Sequence, residues 1–335
     1  METTNENGGA REIREILRRG VTSQLAGDLD EARLRYQHAL ELDPEDDHAA
    51  NNLAFLHMQQ GRHAEAVAIY ERVLARSPQR ATVRSNLALA RAAQGDVPAA
   101  LAELQRALDS DGQNLPAWDN LAKLLMATGR PAEAERAFRS ALALAPRTPH
   151  LHHALGTALA AQARYPEAIE ATEAALALAP ENALSWQQLG VLLFLRHDLG
   201  SATEALRRAL GLAPEDTGSR YQLAVVLLAR GEQEAGTREL ERVVLLDGNH
   251  VAARTDLAVL ALGQGRVAEA LPHLSTALAA APQNPRALYY QAQALALTGD
   301  RPQGLALLAA VRDSGDPRYA PLAEAQLRSS AAPPP

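Results

Sequence analysis

The stretch PHLHHALG, residues 149 to 156, holds the densest set of side chains able to do chemistry. In a helix His150 and His153 stand one turn apart on one face, and His152 turns toward the core. Two imidazoles so spaced can share a metal ion, with Asp119 upstream as a further ligand. A structural or catalytic site takes three or four protein ligands, and spacing fixes no acidic partner here. Histidines exposed on a binding face, changing charge at about pH 6, are the simpler reading. ALGQGRVAEA sets Gly263 and Gly265 in superficial likeness to a dinucleotide loop, but no strand precedes it and a turn between helices accounts for both glycines. The only lysine, Lys123, follows Ala122, so there is no phosphate loop, and no H-E-x-x-H occurs. The chain has no cysteine, which removes disulfides, thiolate catalysis and thiolate-held metals together. Nothing pairs a nucleophile with a base. The expectation is a protein that is not an enzyme and needs no metal or cofactor.

Amides remain as candidate binding groups. NNLAFLHMQQG (51 to 61), SNLALARAAQG (85 to 95) and DNLAKLLMATG (119 to 129) place Asn52, Asn86 and Asn120 inside runs whose apolar spacing is helical. Asparagine is a poor helix former because its amide competes for backbone hydrogen bonds, so these residues need a reason to be there. A carboxamide donates and accepts at once, and so can match the N–H and C=O of an extended peptide whatever side chains that peptide carries.

The elements that must position these amides repeat. L-x-P at 42–44, 144–146, 178–180 and 212–214 recurs at thirty-four residues or a multiple of it. Nine units follow without insertion or deletion: 13–46, 47–80, 81–114, 115–148, 149–182, 183–216, 217–250, 251–284 and 285–318. The eighth place of each unit is Gly or Ala, from Gly20 and Ala54 to Ala292, and so is the twentieth, from Ala32 to Gly304. Small residues at one place on each of two helices let the axes come close. Leucine fills the seventh place from Leu53 to Leu257, and bulky residues such as Tyr36, Tyr70, Phe138 and Leu206 fill the twenty-fourth. A turn glycine, for example Gly61 or Gly129, ends the first helix, and a proline, for example Pro44 or Pro146, closes the second.

These columns, with tryptophan opening WDNLA at Trp118 and WQQLG at Trp186, resemble the tetratricopeptide repeat family over residues 13 to 318. Departures are Gly112 and Gly248 for the closing proline, Ala163 and His197 for the turn glycine, and Gln291 in the leucine column. Gly236 and Gly304 inside helices each cost about 1 kcal/mol against alanine, which makes repeats seven and nine the expected loosest. The resemblance implies an all-α, right-handed superhelical solenoid of helix-turn-helix units. Such units cannot bury their own apolar faces, so the ends need covers. Residues 1–12 are expected to be flexible, with the first helix acting as a cap. Residues 319–330 are expected to form a C-terminal capping helix that lays Leu322 and Leu327 on repeat nine, and 331–335 a disordered tail.

At about 100° per residue, places four, seven, eight and eleven of each first helix form the buried stripe, and places two, five, six, nine, twelve and thirteen face away from it. Asn52, Asn86 and Asn120 all hold place six, continued by Ala154, Gln188, Gln222, Asp256 and Tyr290. The resemblance implies that this open face lines a concave groove and that an asparagine ladder grips the amides of an extended peptide. The alternative is that the column is family background. Asn51, Gln59, Ser85, Asp119 and Lys123 accompany it in repeats two to four. In repeats six to eight the open face is apolar: Val191, Phe194, Leu195, Val225, Leu228, Val259 and Leu262. That stripe reads as a partner's anchor, a homodimer contact or simple packing. In repeats two to nine Lys123 and Arg286 are the only lysine or arginine at open-face places, too far apart to form the carboxylate clamp by which other arrays of the family hold chaperone tails.

The formal net charge of −7 with scattered arginines, LRRG at 17 to 20 being the densest basic spot, excludes a general affinity for nucleic acid. No secretory signal opens the chain and no apolar run approaches the ~20 residues of a membrane span. The expected protein is cytoplasmic, and its arginine-for-lysine bias and abundant alanine suggest a GC-rich bacterium. Its expected role is an interaction scaffold or assembly adaptor holding an extended or partly helical segment of a partner protein. The alternatives are a self-associating homo-oligomer and an accessory subunit that recruits substrates to a separate transferase or secretion machine.

Overall fold

The computed structural model describes residues 3–331, with side chains over 9–330. Among these residues there are nineteen helices and no strand. The chain divides into two compact units, meeting in sequence at Leu178 and Ala179.

The first unit contains α1 (Thr3–Leu25), α2 (Leu29–Leu42), α3 (Asp47–Gln59), α4 (His63–Arg76), α5 (Ala81–Ala93), α6 (Val97–Ser110), α7 (Leu115–Ala127), α8 (Pro131–Leu144), α9 (Pro149–Ala161) and α10 (Tyr165–Leu178). The second contains α11 (Ala183–Leu195), α12 (Leu199–Leu212), α13 (Thr217–Ala229), α14 (Gln233–Leu246), α15 (Val251–Gly263), α16 (Val267–Ala280), α17 (Pro285–Thr298), α18 (Arg301–Asp313) and α19 (Tyr319–Ala331). Helices come in antiparallel pairs, each packed against the next pair within its unit. Aspartate or asparagine caps many of them: the side chains of Asp46, Asn114 and Asn182 accept the N–H groups of Ala49, Ala117 and Ser185. The first helix of a pair ends where one residue turns left-handed. Gly61 and Gly129 do this at φ of 72° and 71°, and Ala163 and His197 adopt the same conformation at 57° and 61°.

The small columns are sockets. A Cβ added at Gly190 would stand 2.6 Å from Cγ of Leu206, and one at Gly20 would stand 2.6 Å from the Tyr36 ring, so place eight receives the bulky residue of place twenty-four. Place twenty receives place twelve: a Cβ on Gly236 would meet Cγ of Leu228 at 2.6 Å. Gly236 thus gives Leu228 room to pack, a gain set against the helix-propensity cost expected to loosen repeat seven. Gly304 likewise has the Ala292 carbonyl 3.0 Å from its would-be Cβ.

Place four, expected at the centre of the buried stripe, is buried at Ile16 and Ala50 and packs on the core at Trp118, and in six repeats it also carries an N–H donor. The side chains of Arg84, Trp118, His152, Trp186, Arg220 and Arg254 each bond the backbone carbonyl six residues earlier, at Pro78, Gly112, Pro146, Pro180, Pro214 and Gly248. Each bond pins the start of a first helix to the turn before it. The arginines also reach place twenty-three, where Arg84 meets buried Glu103 and Arg220 meets Glu239, both at 2.7 Å. Opposite Trp118 and Trp186 that place is Ala137 and Ala205, which leaves room for the indole.

Two terminal expectations are corrected. Residues 3–12 are not a flexible lead but the beginning of α1, because extending a formed helix is cheap and no proline interrupts the chain before Pro44. At the other end Leu322 is 46% exposed, and Tyr319, Ala323 and Leu327 pack on Ala292 and Leu308 of repeat nine. The tail expected over 331–335 lies outside the described residues except for Ala331, which ends α19.

Candidate binding face of the first helices

In the first unit α3, α5 and α7 place their polar columns side by side. Asn86 donates to the Asn51 side-chain carbonyl at 2.8 Å, a link between place six of one repeat and place five of the one before. Asn52 and Asn120 are half-buried and their side chains bond no other residue. Ser85, expected on the open face, is 1% exposed and its hydroxyl is without a partner, because α5 packs there between its neighbours. Gln59 accepts from Gln24 at 2.6 Å, and Gln24 accepts in turn from the Tyr36 hydroxyl at 2.7 Å. Asp119 receives Lys123 at 2.6 Å on one oxygen, and its other oxygen is buried and unbonded.

His150 approaches the Lys123-bonded oxygen of Asp119 at 3.8 Å. His152 does not enter the core; its Nε2 donates to the Pro146 carbonyl. His153 is half-buried, and burial pushes its imidazole below the ordinary histidine value. Among the described residues no group of three or more metal-ligating side chains gathers.

The second unit repeats the cross-repeat link with different residues. The Tyr221 hydroxyl at place five donates to Asp256 at place six of the next repeat at 2.9 Å, and Asp256 also holds Arg286. Burial and the Asp256 charge push the Tyr221 phenol up to about 12. Both pairs, Asn51 with Asn86 and Tyr221 with Asp256, stand thirty-five residues apart, a spacing visible in the sequence as complementary polar residues at adjoining places. Lys123 on Asp119 and Arg286 on Asp256 are each already paired with a carboxylate.

Gln188 and Gln222 are half-buried, and Gln188 is engaged. The apolar stripe divides. Phe194, Leu228 and Leu262, all at place twelve, pack down against buried residues of the unit's core. Place twelve sits at about 80° on the helical wheel, at the edge of the open face, and these long side chains swing over the small residue at place twenty. Packing within the unit thus accounts for the buried part of each, and the rest stays half-exposed. Val191, Val225 and Val259 at place nine stay half-buried, and Leu195 is 43% exposed.

No helix among the described residues is long and apolar enough to cross a membrane. Tetratricopeptide repeat models match residues 24–90, 57–125, 91–159 and 261–327, which together exceed half the chain, and further such models match 149–182 and 218–242. No curated protein sequence matches. Among solved structures, a chain of the APC/C hetero-tetramer Cut9-Hcn1 is similar at 20% identity and TM-score 0.58, over 80% of this chain and 52% of that one. This chain thus spans about half the length of that relative. The C-terminal part of a TPR repeat-containing protein from Cytophaga hutchinsonii is similar at 15% identity and TM-score 0.56, over 71% and 97% of the two chains. Yeast Tom70 is similar at 15% identity and TM-score 0.51, over 97% and 98%. At these identities the likeness is one of fold.

Proposed function

The chain belongs to the tetratricopeptide repeat family, and from that premise we propose that it is a protein–protein interaction scaffold holding an extended segment of a partner protein along the open faces of α3, α5 and α7. The observation that supports this most is a strip of side-chain amides with no partner of their own inside the chain. Asn52 and Asn120 are half-buried without partners, and one oxygen of Asp119 is buried and unbonded. Water meets the two asparagine amides in the free chain, and the N–H and C=O groups of an extended peptide can take its place. Asn51 and Asn86 complete the strip, holding each other's amides until a ligand competes for them. Lys123, tied to Asp119, stays exposed at one end of it. The arginine-rich, lysine-poor composition supports a bacterial source.

Crosslinking capture from native cell extract tests the reading, comparing the wild type with a variant carrying Asn52→Ala, Asn86→Ala and Asn120→Ala. The expected outcome is a partner retained by the wild type and lost by the variant while helix content is unchanged. Equal capture by both makes the asparagines family background and removes the proposed mode. Recovery of the bait's own dimer alone, from both proteins, favours the self-associating reading.

A further inference from the structure

At the seam between repeats one and two a cavity of about 360 Å³ opens beside Ala50. Leu40, Leu53, Ile69 and Val73 wall it, and Pro44, Arg72 and Arg76 stand at its mouth. Ala50 holds place four, where six later repeats carry an arginine, tryptophan or histidine bonded to the carbonyl six residues earlier. In repeat two that carbonyl belongs to Pro44, and the Ala50 methyl has no N–H to offer it. Ala50 at place four and Ile69 at place twenty-three both line the cavity, and these are the two places that Arg84 and Glu103 occupy in repeat three. Arg76 is shared with Asp47 at 3.3 Å, whereas Arg72 is exposed and has no acidic partner among the described residues.

We propose that this cavity binds a tryptophan side chain of a partner peptide that carries a carboxylate beside it. The indole enters between Ile69 and Leu40 and donates its N–H to the Pro44 carbonyl. This is the bond that Trp118 makes to Gly112 at 2.9 Å and Trp186 makes to Pro180 at 2.8 Å. The neighbouring acid meets Arg72, a charge-assisted contact at an exposed mouth. An aliphatic side chain would fill the space and leave the carbonyl unserved, and a basic one would face two guanidinium groups. The volume lies in the usual range for ligand sites, roughly 300–1,000 Å³. None of the strip of Asn52, Asn86, Asn120 and Asp119 takes part, so the cavity and the groove stand or fall separately.

The test uses the full chain and an acetylated, amidated Asp-Trp-Asp peptide labelled with fluorotryptophan, followed by fluorine NMR. Wild type is expected to bind with a submillimolar Kd. Ala50→Trp, which supplies the missing side chain from within, is expected to abolish binding. Arg72→Glu, at an exposed position that leaves the fold alone, is expected to weaken it by roughly tenfold, the size of one charge-assisted hydrogen bond. A peptide with leucine for tryptophan should bind more weakly than the parent. Failure of the wild type to bind at millimolar peptide, or binding undiminished in both variants, would overturn the proposal.

Discussion

Asn86 donates its side-chain N–H to the Asn51 carbonyl oxygen at 2.8 Å, so two amides of neighbouring repeats hold each other in the strip where a ligand is proposed to lie. The bond carries stability as well as geometry. Asn51→Ala and Asn86→Ala are each expected to lower unfolding free energy by about 0.5–1.5 kcal/mol, and the double variant by little more than either alone. Urea unfolding followed by circular dichroism measures the cycle. Strictly additive losses would mean that the two amides do not interact in solution.

Gly236 and Gly263 make opposite predictions from the same residue type. Both lie in helices, and alanine gains about 1 kcal/mol of helix propensity at an unconstrained interior site. At Gly263 nothing lies within 4 Å of an added Cβ, so Gly263→Ala should stabilise or be neutral. At Gly236 the new methyl would lie 2.6 Å from Cγ of Leu228 and 3.1 Å from the Ala224 carbonyl, so Gly236→Ala should destabilise by about 1–3 kcal/mol. Tm should fall for Gly236→Ala and stay level or rise for Gly263→Ala, and a rise in Tm for Gly236→Ala would refute the close crossing.

Ala163 and His197 hold the left-handed turn that glycine holds in the other repeats, at φ of 57° and 61°. A residue with a Cβ is disfavoured there, and the gain from relieving it exceeds the extra chain entropy that glycine loses on folding. Ala163→Gly and His197→Gly should each raise stability by about 0.5–1 kcal/mol. Equilibrium denaturation decides this, and a loss of stability in both variants would mean that these turns do not need the left-handed conformation.

The periodic columns were enough to read the pairs of helices, because a thirty-four-residue period ties each helix start to a repeat start: α3, α5 and α7 begin at Asp47, Ala81 and Leu115. Side-chain direction was less legible. A wheel at 100° per residue treats a side chain as a point on its Cα ray. It put Trp118 and Arg84 in the core; Trp118 does pack on the core of repeat three, but both side chains also turn back along the helix to a carbonyl at the preceding turn, which a wheel does not show. The same simplification put Phe194, Leu228 and Leu262 on the open face, although each reaches across to the core of its unit. The pairing of Arg84 with Glu103 and of Trp118 with Ala137 was written in the sequence as an exchange of charge for volume at places four and twenty-three. That signal needed the two columns to be compared with each other, not each with a wheel. The Asn51–Asn86 link was likewise hidden by treating place six as a column of its own.

Glu135 gives the first unit an acid limb that can be predicted with its sign. The carboxylate lies in α8, 8% exposed, and burial alone would raise its pKa. Hydrogen bonds from Gln162 and Arg164, with the charges of Arg164 and Arg139, outweigh burial and hold it below the ordinary value. A carboxylate depressed in the folded state stabilises the fold fully above its unfolded pKa of about 4.3, and that stabilisation is lost as pH falls through the folded value. Glu135→Gln removes the charge that Arg164 contacts and keeps the shape of the side chain. Wild type should therefore be more stable than Glu135→Gln at neutral pH, and the gap in Tm should begin to close at about pH 4–5 and vanish once Glu135 is protonated. Melts across that range measure it, and a gap independent of pH would mean that packing of the side chain, not its charge, joins α8 to repeat five.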